Sequence, residues 1–168
     1  MKLYYSPGTC ALAAHIALLE AEHTKMRKLL AELEATTDRA VKTRQELFAT
    51  IKGELTLHEV IEEEIFYPEL KAHPKAEELV LEGYEEHHVV DLVMGELERL
   101  DVEDESWGAK AKVMKENVEH HMEEEEGDMF RKARQAFDKA ELEDLGRRMA
   151  ERRVSAAREL GIPVPAGR

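Results

Sequence analysis

Residues 58–70 read HEVIEEEIFYPEL and residues 121–133 read HMEEEEGDMFRKA. Each sets a histidine four residues ahead of a glutamate, His58 with Glu62 and His121 with Glu125, and then runs through more acid into apolar residues. On a helix, residues i and i+4 share a face, so each stretch offers an imidazole and a carboxylate side by side. Whether that face turns to solvent or to a core decides what the chain builds.

Hydrophobic spacing turns it inward. Leu12, Ile16, Leu19, His23, Met26, Leu30 and Leu33 recur at steps of three and four, a single apolar stripe with a histidine in its middle. Leu47, Ile51, Leu55, His58, Glu62 and Ile65 form a second stripe, which carries both a histidine and an acid. In the third, Val80, Tyr84, His87, Val90, Met94 and Leu97 select His87 over His88. In the fourth, Met114 and Val118 lead to His121 and Glu125, whereas Val113 and Asn117 lead to His120 and Glu124. The more apolar course puts His121 and Glu125 inside. Glycine, proline and short polar breaks bound four long helices near residues 10–35, 39–67, 74–99 and 107–136. A fifth, surface-packing helix is expected over about 138–159, then a loose tail, GIPVPAGR. Only MKLYY at the start reads as strand. The fold class is therefore all-α, an antiparallel four-helix bundle with an additional C-terminal helix.

The spacing also repeats. His23 to His58 is 35 residues and His87 to His121 is 34, and HTKMRKLLAEL parallels HHVVDLVMGEL. One helical hairpin is written twice about a pseudo-two-fold axis, and each copy supplies a lone histidine and an HxxxE pair. That is the donor set of a two-metal site, because a carboxylate has two oxygens and can bridge two ions. Ionised glutamates on a core stripe otherwise cost roughly several kcal/mol each. Four HxxxE pairs occur, against the one or so that chance would place among eight histidines and 30 glutamates. A single pair thus carries little, and the ordered set carries the reading. His73, ahead of Pro74, reads as a helix cap, His15 as structural, and His88 and His120 as solvent-side or supporting residues.

Composition excludes several classes. The net charge of −13 opposes binding to a phosphate backbone or an anionic membrane surface. The one cysteine, Cys10, forms no internal disulfide. No apolar run approaches the roughly 18 residues of a transmembrane helix, and the start does not read as a signal peptide. A cytoplasmic protein is expected, with a small-molecule ligand and neither nucleic acid nor membrane as partner.

His23, His58-x-x-x-Glu62 followed by Ile-Phe-Tyr-Pro, Glu86-His87, and His121-x-x-x-Glu125 followed by Met-Phe resemble the hemerythrin-like, or HHE cation-binding, family over about residues 20–150. The resemblance implies a non-haem di-iron centre in the bundle, with His23, His58, His87 and His121 as terminal ligands and Glu62 and Glu125 bridging. Glu59 is implied as an additional ligand, as in some members. Asp91 stands where the oxygen-carrying hemerythrins place a further histidine, a departure that argues against simple reversible oxygen carriage and makes Asp91 another position to test. The first 21 residues, MKLYYSPGTCALAAHIALLEA, resemble the opening of bacterial glutathione transferases, with Cys10 at the glutathione-facing position, but the rest of that domain does not follow. The expected organisation is thus a borrowed segment over 1–21, a hemerythrin-like domain over 22–160 and a loose tail over 161–168.

The leading functional expectation is a di-iron protein that binds or senses oxygen, nitric oxide or iron. The alternatives are a di-iron enzyme that reduces peroxide or activates oxygen, and a metal-free or zinc-filled interaction bundle. Histidine and carboxylate donors suit iron and also manganese or zinc.

Overall fold

The structure, a computed structural model, describes residues 16–163. The MKLYY strand, Cys10 and His15 lie outside the described residues, as do residues 164–168. Everything described is helix or short connection, with no strand among the described residues.

Helix α1 spans Ile16–Glu34. Helix α2 spans Val41–Ile61, passes into a π-helical turn at Glu62–Phe66, and ends as α3, Tyr67–Lys71. After a short connection, α4 runs over Glu77–Arg99. Helix α5 spans Trp107–Glu124, passes into a second π-helical turn at Glu125–Met129 and ends as α6, Phe130–Ala136. Helix α7, Lys139–Leu160, packs along α2 and the first π turn and reaches α1. The pairs α1 with α2, α4 with α5, and α1 with α5 close the bundle.

The expected stripes are mostly the buried ones, although Leu47 and Tyr84 are half-buried and Leu12 lies outside the described residues. Ile16, Leu19, His23, Met26, Leu30 and Leu33 are the buried residues of α1, and Met114, Val118 and His121 are buried in α5 while Val113 is exposed. Two large clusters make up most of the core, beside a small one of Leu57, Ala156 and Ala157. One apolar cluster contains Ile61, Phe66, Tyr67, Leu70, Phe130 and Met149, and the other contains Leu30, Ile51, Leu55, Met94, Trp107 and Met114. The inward histidines and glutamates form a polar layer of the bundle interior, apart from both.

Two local features differ from the expected boundaries. The second helix passes through Tyr67-Pro68 instead of stopping there. The π turn makes this possible: the Tyr67 N–H donates to the Glu62 carbonyl five residues back, so a residue at 68 in that register would donate to the carbonyl of Glu63. Proline has no N–H to give, and the Tyr84 hydroxyl donates to the Glu63 carbonyl instead, at 3.2 Å. At the other end, the expected loose tail is folded back as far as Ile162. Gly161 adopts φ 65° at the end of α7, where a side chain would be strained. The Ile162 N–H then donates to the Ala157 carbonyl at 2.9 Å, and Ile162 packs against the small cluster of Leu57, Ala156 and Ala157.

Candidate metal centre

Four imidazoles converge at mid-bundle, one from each of α1, α2, α4 and α5. His23 Nε2 lies 3.1 Å from His58 Nε2, and His87 Nε2 lies 3.1 Å from His121 Nε2. Glu62 joins the two pairs: one oxygen is 3.1 Å from His58 Nε2 and the other 3.3 Å from His87 Nε2. Glu125 Oε2 sits between the pairs as well, 3.2 Å from His23 Nε2 and 3.5 Å from His121 Nε2. His23, Glu62 and Glu125 are at most 1% exposed.

Each imidazole is oriented from behind by a carboxylate. His23 Nδ1 donates to Glu126 at 2.9 Å, His58 Nδ1 to Glu22 at 2.9 Å, His87 Nδ1 to Glu63 at 2.9 Å, and His121 Nδ1 to Glu86 at 2.7 Å. An ionised carboxylate only accepts, so the proton of each neutral ring is on Nδ1. The four Nε2 atoms then present lone pairs to one another in pairs. Facing lone pairs at 3.1 Å repel unless a proton or a cation lies between them. Two imidazole nitrogens about 2.1 Å from one ion at a near-right angle stand about 3 Å apart, so the spacing fits a metal. Both Glu62 oxygens and Glu125 Oε2 are buried without a hydrogen-bond partner, at the cost such groups ordinarily carry. A carboxylate behind each metal-facing histidine is the usual support of a metal site.

Charge in the metal-free centre follows from this packing. Burial and the neighbouring Glu125 push the Glu62 carboxyl well above the usual carboxylate range. Burial pushes Glu125 in the same direction, but His121 and His23 outweigh it and hold its carboxyl below that range. The two facing carboxyls are thus driven apart, Glu62 toward the neutral form and Glu125 toward the charged one. Burial lowers His58. In His87 and His121 burial acts downward too, but the hydrogen bond to Glu63 in one and the charge of Glu125 in the other raise them overall.

The repeat is followed through the whole centre. His58, Glu62, Glu63 and Tyr67 recur 63 residues later as His121, Glu125, Glu126 and Phe130, and Glu22 and His23 recur 64 residues later as Glu86 and His87. The π turn begins at the glutamate in both copies and rotates the next aromatic inward. Tyr67 stacks on His87 with ring centroids 5.5 Å apart, and Phe130 stacks on His23 at 5.7 Å. Single π turns are frequently found at functional sites.

The chain belongs to the hemerythrin HHE cation-binding family. The family description "Hemerythrin HHE cation binding domain" matches residues 14–133. The chain is also similar to the crystal structure of a hemerythrin HHE cation-binding domain-containing protein from Mycobacterium kansasii. Identity is 28%, coverage is 87% of this chain and 91% of that one, and the TM-score is 0.74. No curated protein matches the chain. Among the described residues of this HHE protein, no helix is long and apolar enough to cross a membrane.

The six expected donors, His23, His58, Glu62, His87, His121 and Glu125, are together. They fall into two overlapping groups able to hold a cation, His23 with His58, Glu62 and Glu125, and Glu62 with His87 and His121. Glu59 is not in either group but lines the small cavity beside them, and Asp91 is exposed. His88 and His120 are exposed, and His73 sits in the turn after α3, its ring edge-on to Phe137. The four carboxylates behind the histidines were not anticipated as such, although the repeat marks them, since Glu22 recurs as Glu86 and Glu63 as Glu126. Tyr67 was missed because the π turn shifts it a full position relative to an unbroken stripe.

Proposed function

We propose that this HHE protein holds a pair of iron ions and binds or senses a small diatomic ligand there, oxygen or nitric oxide, or senses iron itself. His23 and His58 would hold one ion, His87 and His121 the other, with Glu62 and Glu125 bridging. When bound, an iron pair supplies a redox-active centre with room for a small ligand. The observation that carries the reading is the combination of paired, lone-pair-facing Nε2 atoms with bridging carboxylate oxygens that have no hydrogen-bond partner.

The chain's own residues shape what reaches the centre. A cavity of about 20 Å³ lies beside the Nε2 atoms, walled by Met26, Leu55, Val90, Val118 and Met122. That is space for about one water-sized molecule, and its apolar wall disfavours ions and favours a small uncharged ligand. The carboxylates behind the histidines fix the ring tautomers, so that no ring has to reorient when a cation enters. The test is elemental analysis of purified protein, followed by the visible spectrum of an anaerobically iron-loaded sample before and after air. Two irons per chain and a new band that reverses when oxygen is removed are expected. Failure to take up metal would end the proposal.

A second reading, peroxide reduction, has one observation in its favour. Glu59 lines the same cavity, and its carboxyl, pushed up to about 7 chiefly by burial, holds a proton that a reduction would consume. Steady-state consumption of many peroxides per iron pair would select it.

A further inference from the structure

The donors of the centre obey the repeat, but the cations behind them do not. On the His23–His58 side, Arg27 donates to both oxygens of Glu126, at 2.9 and 3.0 Å. Arg153 of α7 donates to Glu22 and, at 2.6 Å, to Glu54, which also pairs with Lys25 at 2.7 Å. On the His87–His121 side, Glu63 meets His87 alone, and Glu86 meets His121 and the exposed His120. Among the described residues, neither Glu63 nor Glu86 has a lysine or arginine in ion-pair contact. Further acids gather there, with Glu59 in the fields of Asp91 and Glu63, and Glu124 in those of Glu86 and Glu82. The sequence writes the contrast directly. Arg27 stands four residues after His23, and its counterpart four residues after His87 is Asp91. Arg153 lies on the one long helix that has no repeat partner.

A carboxylate that accepts from an imidazole N–H makes the ring a stronger donor to a metal. An arginine sharing that carboxylate takes back part of its charge. We propose that Arg27 and Arg153 are positioning residues that make the two ion positions inequivalent, the one between His23 and His58 being reduced first and the one between His87 and His121 keeping the higher charge. The inference rests on the iron-pair reading above. The step is the gain of one electron from an electrode by a ferric ion, with no bond made or broken.

The test uses the full chain loaded with iron, and the metal content is measured first. A chain that fails to take up two irons sinks the iron-pair reading, and is recognised as such before any potential is recorded. In the loaded protein a spectroelectrochemical titration is expected to resolve two one-electron steps. Arg27→Gln and Arg153→Gln each shift the first step to lower potential and leave the second in place. Glu63→Gln and Glu86→Gln shift the second step to higher potential and leave the first in place. Arg153→Lys, which keeps the charge, restores the first step. If Arg153→Gln fails to fold, the half-exposed Arg27 and its Gln variant decide the matter. A single two-electron step, or variants on both sides moving the same step, overturns the proposal.

Discussion

The Tyr67 hydroxyl donates to Glu125 Oε1 at 2.9 Å, tying the end of the first half of the repeat to the inward acid of the second. The counterpart of Tyr67 is Phe130, which keeps the stacking on a histidine and has no hydroxyl. The centre is therefore symmetric in its aromatic packing and asymmetric in its hydrogen bonding. Burial, with the charges of Glu125 and Glu62, pushes the Tyr67 phenol well above its ordinary range, so the hydroxyl remains a donor.

Tyr67→Phe is expected to fold, since phenylalanine already fits the equivalent position. It leaves Glu125 Oε1 buried without its donor, a loss of roughly 1–3 kcal/mol in the metal-free protein. Loaded with metal, the variant should lose less, because a cation takes over part of the hydrogen bond's work. Thermal melts with and without metal measure both. An equal loss in the two states would show that the hydroxyl serves packing alone.

Gly83 makes room for that hydroxyl. A Cβ added at Gly83 would lie 2.8 Å from the Tyr67 oxygen and 3.0 Å from its ring, and the ring is fully buried and cannot withdraw. Gly83→Ala should therefore destabilise the protein, although alanine in a helix interior is worth about 1 kcal/mol over glycine. Gly95, on the same helix, has only the Arg99 guanidinium near, at 4.0 Å. Gly95→Ala should raise the melting temperature. The opposite signs of two identical substitutions on one helix are the check.

The sequence made the inward residues readable because periodicity reports which face is buried, and a histidine or acid on that face stands out. All six residues expected as donors lie on buried faces and come together. The carboxylates behind the histidines were harder to see. Glu63 and Glu126 sit within runs of acid, and Glu22 and Glu86 sit immediately before a histidine, so each looks like part of a solvated face. Only their recurrence at a step of 63 or 64 residues sets them apart. The first π turn left no compositional mark, whereas the second carries Gly127. No glycine or proline lies within Glu62–Phe66, and the slip shows only as a change of phase, with Phe66, Tyr67 and Leu70 buried where an unbroken stripe would not have placed all three.

Glu62→Gln separates the cost of the centre from its use. Both oxygens of Glu62 are buried without a hydrogen-bond partner. A neutral amide removes a carboxylate that burial and Glu125 already oppose. At pH 8 the metal-free variant is expected to be more stable than the parent by about 1–3 kcal/mol, because folding the parent must either bury that charge or take up a proton. The same variant should bind metal less tightly and gain less melting temperature on loading. A metal-free variant less stable than the parent would mean that the carboxylate is held by contacts other than a cation.

The pH dependence of the metal-free protein should run opposite to that of metal binding. Glu59, whose carboxyl is raised from 4.5 to about 7 by burial and then by Asp91 and Glu63 against His87, favours folding when neutral. Its contribution is complete below pH 4.5 and is lost as pH rises through about 7. Glu62 has the same sign. His87 and His121, raised from 6.5, stabilise below pH 6.5 and stop doing so above their folded values. Between pH 5 and pH 8 His58 alone is opposite, since the lowered carboxyls of Glu22, Glu125 and Glu126 lose their contribution only below pH 4.5. Lowered by burial, His58 stabilises above pH 6.5 and ceases to as pH falls through its folded value. Three shifts of one sign beyond Glu59 outweigh the single shift of the other, so the metal-free melting temperature should fall between about pH 5 and pH 8. Metal needs neutral imidazoles and ionised carboxylates, so the gain in melting temperature on loading should grow over the same interval. Glu59→Gln should flatten the metal-free curve between pH 4.5 and 7, by up to about 3 kcal/mol at one pKa unit per 1.36 kcal/mol, while leaving metal content unchanged. A metal-free protein that becomes more stable from pH 5 to pH 8 would contradict the charge arrangement of the whole centre.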